Sequence, residues 1–143
     1  MRIFYIFQIN PSLEKIMKEN PYDLFHTLET VYYRTCEDKE LAYLFLHQLT
    51  TPIKVKELDI ALFKEFRECY FYTKYRNTHS MHDVYRKENT KLSLYKTYIK
   101  LETDALKPRF LEELQKNHSF FVCDFENMDY FWLDSLSFSP VYI

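Results

Sequence analysis

Residues 2–9 carry β-branched and aromatic side chains with polar interruptions only at the ends, which predicts a strand covered on both faces. Pro11-Ser12 then opens a short helical stretch, Leu13 to Glu19, with Leu13, Ile16 and Met17 on one side; Asn20-Pro21 stops it and starts another. From Pro21 the apolar positions Leu24, Phe25, Leu28, Val31 and Tyr32 recur at three and four residues, the spacing of one helical face, up to about Thr35. Asp38 is placed to cap a third helix. Its inward stripe would be Leu41, Leu44, Phe45 and Leu49, while Tyr43, His47 and Gln48 lean elsewhere and Thr51-Pro52 ends it.

Ile53-Lys54-Val55 alternates as a short strand, and Leu58, Leu62, Phe63 and Phe66 stand at helical spacing in the run that follows. The aromatic segment 69–75 has strand composition, and Val84-Tyr85-Arg86 and residues 92–101, separated by Glu88-Asn89-Thr90, read as a hairpin. Asp104 can cap a helix over 105–116, with Leu106, Phe110, Leu111 and Leu114 on one side, Pro108 tolerated in the first turn and Asn117 at its end. Residues 119–125 and 130–133, joined through Glu126-Asn127-Met128-Asp129, form the clearest hairpin. Interleaved in this way, the elements predict an α/β (α+β) fold: one small domain over residues 1–143, with a mixed sheet of about four to six strands, about three to five helices and a C-terminal β-hairpin.

Composition narrows what such a domain can do. The chain has no glycine, where 143 average residues would include about ten. The P-loop, the dinucleotide-binding turn and the nucleophile elbow all need glycine, because backbone must approach a phosphate or turn with positive φ without a Cβ in the way. Tight turns are expected to use asparagine or aspartate instead, and Asn77, Asn89, Asn117 and Asn127 sit where turns are wanted. Aromatic residues number 13 Phe, 13 Tyr and one Trp, more than a core of this size needs to hide, so some tyrosines are expected at the surface, where they favour protein recognition or base stacking.

No apolar run approaches the roughly twenty residues that span a bilayer, and residues 1–7 lack the small-residue cleavage site of a secretory signal. The three cysteines, Cys36, Cys69 and Cys123, fit neither a disulfide framework nor a zinc knuckle; reduced thiols and a cytoplasmic location are expected. Residues 54–100 hold eleven basic and six acidic side chains, net +5, against −2 before them and −5 after them. That excess could steer an acidic partner but is far from the profile of a dedicated nucleic-acid binder.

Candidate chemistry is sparse. His79, His82 and Asp83 could bind zinc or iron, yet the three-residue histidine spacing fits no standard ligand pattern, and a solvated loop is the expected reading. No cysteine is tied by pattern to a histidine, Cys123 alternates within a strand, and the carboxylate pairs Glu112-Glu113 and Asp124/Glu126 lie where solvated surface is the default. Catalysis, a cofactor and a small-molecule substrate are therefore not expected. Interleaved Tyr70, Tyr72, Lys74, Tyr75, Arg76, Tyr85, Arg86, Lys87, Tyr95, Lys96, Tyr98 and Lys100 form the one pattern compatible with stacking on single-stranded nucleic acid, the alternative function, although RNP-like and GXXG signatures are missing.

His47-Gln48-Leu49-Thr50-Thr51-Pro52-Ile53-Lys54-Val55 resembles a segment of the SirA family, the sporulation inhibitor of replication proteins of spore-forming bacteria. The first strand, Arg2 to Ile9, resembles that family's start. Leu111 to Leu133, with Phe120-Phe121-Val122-Cys123-Asp124-Phe125 and Tyr130-Phe131-Trp132-Leu133, resembles its C-terminal hairpin. The resemblance implies a small α/β domain that binds the N-terminal domain of the replication initiator DnaA and blocks initiation, with no cofactor and no chemistry. It also implies a contact surface after the first strand and in the helix before Thr51-Pro52, which here corresponds to Leu13, Met17, Phe45 and Gln48.

Overall fold

The structure is a computed structural model and describes residues 1–33, 40, 44, 47–116 and 120–136. Its organising element is β1 (Arg2–Gln8), which alternates Phe4 and Ile6 toward one face with Phe7 and the following Ile9 toward the other, all almost fully buried. It pairs antiparallel with β5 (Ile99–Thr103) on one side and β6 (Phe120–Asp124) on the other. With β2 (Tyr72–Tyr75), β3 (Thr78–Asp83), β4 (Glu88–Leu94) and β7 (Asp129–Trp132) the order is β2-β3-β4-β5-β1-β6-β7.

The expected α+β class holds, but the described sheet has seven strands instead of four to six, and every pairing is antiparallel instead of mixed. The reason lies in the polar centre of the chain. Glu88-Asn89-Thr90, read as a turn, sits inside β4, where Thr90 Oγ1 meets Thr103 Oγ1 at 2.8 Å and the Glu88 carboxylate accepts from the Arg109 backbone N–H at 3.3 Å. Once paired across the sheet, these buried polar groups no longer break a strand.

Two helical layers cover the sheet. The helices α3 (Val55–Phe66) and α4 (Arg109–Gln115) bring Leu58, Leu62, Phe66, Phe110, Leu111 and Leu114 onto the face that holds Phe4, Ile6, Leu92, Leu101 and Val122. On the opposite face α2 (Pro21–Leu28), which continues into a π-helical turn at Glu29–Tyr33, packs Leu24, Phe25 and Leu28 on Phe7, Phe121, Cys123 and Trp132. Each large side chain so buried contributes about 1.5–3 kcal/mol, so the two clusters together carry the fold.

Local expectations fail where tertiary partners intervene. Ile53-Lys54-Val55 is not a strand: Ile53 donates its N–H to Lys96 O at 2.7 Å and Val55 opens α3. The helix expected from residue 105 starts at Arg109, because the Asp104 carboxylate instead accepts from the backbone N–H and side-chain amide of Asn89, at 2.7 and 3.0 Å. Leu106 is consequently 93% exposed. Leu44, expected to face inward, is 57% exposed; Cys36, Asp38, Leu41, Phe45 and Asn117 lie outside the described residues.

Turning without glycine uses aspartate caps. Asp83 Oδ1 accepts from the N–H groups of Tyr85 and Arg86, at 3.1 and 3.2 Å, at the start of the β3–β4 loop, and Asp124 accepts from Asn127 N–H and Nδ2, at 3.2 and 2.7 Å, in the β6–β7 loop. Among the described residues the left-handed positions fall not on Asn77, Asn89 or Asn127 but on Arg76, Lys87 and Met128, with φ of 55°, 54° and 51°. A side chain with a Cβ costs about 1–2 kcal/mol there, partly offset by the flexibility glycine would add to the unfolded chain. Lys87→Gly and Met128→Gly are each expected to raise stability by about 0.5 kcal/mol in urea unfolding. An unchanged or lowered midpoint in both would show that these loops carry no backbone strain.

Candidate functional site

Asn10 ends the β1 crossing and caps α1 (Pro11–Glu19): its Oδ1 accepts from Ser12 N–H at 3.1 Å and Ser12 Oγ at 2.9 Å, and Pro11 takes the first helical position, where a missing N–H costs nothing. Nine residues are too few for an isolated helix to persist in water. Packing holds this one, although none of its residues is fully buried. Met17 leans on the Phe7–Leu24–Trp132 cluster, and Lys18 pairs with Asp134 at 2.7 Å and Glu14 at 3.3 Å while its ammonium lies 5.5 Å from the centre of the Trp132 ring. The hydrogen bond that Lys18 donates to Asp134 raises the Lys18 pKa against a smaller opposing effect of burial.

The first turn of α1 is also tied to a distant segment. Asn10 N–H donates to Leu49 O at 2.8 Å, Thr51 N–H donates to Gln8 O at 2.8 Å, and Ile9 forms a bridge with Thr50. These bonds set the start of α1, the helix that carries half-buried Leu13 and Met17, beside the segment that carries exposed His47 and Gln48. Two further apolar residues are exposed: Ile16, which shares the apolar side of α1 with Leu13 and Met17, and Leu44, both 57%. Periodicity had marked both as apolar-face residues and carries no information on whether that face is covered. Phe45 lies outside the described residues.

The other candidates resolve into structural roles. His79 and His82 are three apart on β3, so the strand's two-residue period sends them to opposite faces. His79 is fully buried, donating Nε2–H to Asp59 at 2.8 Å and accepting the Tyr72 hydroxyl at Nδ1 at 2.6 Å; His82 is exposed beside Asn89. Asp83 is taken by Arg109 Nη2 at 2.6 Å. Among the described residues no three histidine, cysteine or acidic side chains gather where a metal could sit. Burial pushes the Cys123 thiol well above its ordinary range, so it is no ready nucleophile. Of the carboxylate pairs, Glu113 binds Lys116 at 2.9 Å and Asp124 binds Arg2 Nε at 3.0 Å.

The basic and tyrosine residues do not form one track. Tyr72 is buried, Lys74 pairs with Asp59 at 3.1 Å, and Tyr98 is half-buried against Tyr5. Tyr85, Arg86 and Lys87 occupy the β3–β4 loop, whereas Tyr95 and Lys96 occupy the β4–β5 loop at the other end of the sheet. A cavity of about 390 Å³ lined by Arg86, Lys87, Lys107 and Arg109 also contains Glu88 and Asp104, and Arg109 is held by Glu88 as well as Asp83. No described helix is long and apolar enough to cross a membrane.

The family model described as "Sporulation inhibitor of replication protein SirA" matches residues 2–137, nearly the whole chain. No curated protein matches it.

Burial lowers the His79 pKa, against the opposing pull of Asp59 and with a small further push from Lys74. The folded state therefore prefers the neutral ring, and stability from this site is full above the unfolded value of about 6.5 and lost as pH falls below it toward the folded pKa. The urea midpoint is expected to be flat from about pH 7 to 8 and to decline below about pH 6.5, and His79→Gln is expected to flatten that decline. An equal decline in the variant would assign the pH response to other groups.

Proposed function

The chain belongs to the SirA family, and on that premise we propose that it inhibits initiation of DNA replication during sporulation by binding the N-terminal domain of the initiator DnaA, one molecule to one. The observation that supports this reading is the meeting of α1 with residues 47–49, which the fold holds side by side: Ile16 is exposed on α1, Leu13 is half-buried outside both core clusters, and His47 and Gln48 are exposed on the neighbouring segment. Leu13, Met17, Phe45 and Gln48 are the proposed contacts, extended by Ile16 and Leu44. Aliphatic groups that can be covered at the centre, rimmed by polar Gln48 and His47, have the composition of a protein-binding surface.

The mode of action is occupancy. The proposed site offers shape and apolar area to a partner, with no group activated for bond making, and DnaA's own workplace puts the complex in the cytoplasm. An affinity in the micromolar range or tighter corresponds to about −8 kcal/mol or better.

Calorimetry with the DnaA N-terminal domain of the same organism is expected to give a one-to-one complex, and absence of binding at tens of micromolar would remove the proposal. Ile16→Glu, at an exposed position where folding has little at stake, is expected to weaken binding at least about tenfold, or 1.4 kcal/mol. Ile60→Glu, on the exposed face of α3, is expected to leave affinity unchanged; equal losses in both variants would place the contact elsewhere.

A further inference from the structure

Asn10 divides its polar atoms between the two segments of the proposed contact surface, two for the start of α1 and two for the backbone of Gln48 and Leu49. Its N–H donates to Leu49 O at 2.8 Å and its C=O accepts from Leu13 N–H at 2.9 Å. Its Oδ1 caps α1 through Ser12, and its Nδ2 donates to Gln48 O at 3.3 Å. One short side chain therefore sets both the start of α1 and its distance from the backbone that carries Gln48, 38 residues away in sequence.

We infer that Asn10 is a positioning residue for partner recognition: it touches no partner itself and fixes the register of α1 against Gln48. This rests on the DnaA-binding reading above. The requirement is for an amide specifically. Aspartate supplies the same cap oxygen and suits a helix N-terminus at least as well, but it has no hydrogen to give Gln48 O and sets a carboxylate oxygen against that carbonyl. Serine also caps, but is one atom too short to make the second contact. Alanine loses both. The capping role and the clamping role are thus separable by substitution.

Because α1 lacks any fully buried residue, its packing constrains it less than that of a core helix, and the clamp adds to the backbone bonds of Asn10 and Thr51 in setting where Leu13 and Ile16 stand relative to Gln48. A partner that closes over both segments binds the clamped arrangement directly, whereas an unclamped α1 must first be ordered, and that cost appears as lost affinity.

Asn10→Asp is expected to unfold within about 3 °C of the parent protein, to bind the DnaA N-terminal domain about fivefold more weakly, and to exchange the Thr51 amide hydrogen faster in the free protein. Asn10→Ser is expected to match it in binding. In the Gln48→Ala background Asn10→Asp should weaken binding by less than it does alone, because the residue being positioned has been removed. Binding by Asn10→Asp within twofold of the parent, or an unchanged Thr51 exchange rate, would overturn the clamp while leaving the partner reading standing. Failure of the parent protein to bind would instead bring down the partner reading and this inference together.

Discussion

Burial of β1 on both faces is the constraint from which the rest of the architecture follows. Phe4 and Ile6 can be covered only by a layer on one side, Phe7 and Ile9 only by a layer on the other, and a strand so placed must lie in the interior of the sheet. The hydrogen-bonding groups of β1 are satisfied by β5 and β6, which fixes those two strands as its neighbours, and each then extends outward by antiparallel hairpins. α1 and α2, reached directly from the end of β1, fall on the Phe7 side; α3 and α4 are left for the side of Phe4. The exposed patch at α1 is a product of this order, since α2 already fills the place over Phe7 and Trp132 and α1 must settle at its margin.

A fold without glycine must find other ways to reverse direction. Here the short acceptor groups of Asp83 and Asp124 collect the loop N–H groups that a tighter turn would otherwise pair, and Lys87 and Met128 accept the left-handed backbone that closes each loop. Asp83 has a second duty toward Arg109. Burial works to raise its pKa, but the Arg86 N–H and the Arg109 guanidinium outweigh this and hold it below the usual carboxylate range. Loop geometry and the seating of α4 are consequently coupled through one carboxylate.

Elements with a strong period were legible in the sequence. The two-faced β1, the helical spacing of Leu24, Phe25 and Leu28, that of Leu58, Leu62 and Phe66, and the hairpin of β6 and β7 all stand close to where the pattern put them. What periodicity misread is polar residues whose partners are remote: Glu88 and Thr90 looked like a turn because nothing local announces Arg109 or Thr103, and Asp104 looked like a helix cap because its true partner, Asn89, belongs to another strand. The candidate surface divides in the same way. Leu13, Met17 and Gln48 came from resemblance, but the adjacency of their segments rests on Asn10, an ordinary turn residue in the sequence, with the Thr51–Gln8 bond and the Ile9–Thr50 bridge, and the exposure of Ile16 and Leu44 depends on what the fold leaves uncovered.

The two ends of α1 are fastened by different forces. The N-terminal end is held by backbone hydrogen bonds, which dissolved ions barely affect, while the C-terminal end adds to the packing of Met17 an ion pair of Lys18 and Asp134, both well exposed to water and worth at most about 1 kcal/mol. Raising ionic strength screens the second without touching the first. One fastening of α1 thus feels the electrolyte around it, a sensitivity that the aliphatic side chains of the proposed recognition surface would not have by themselves.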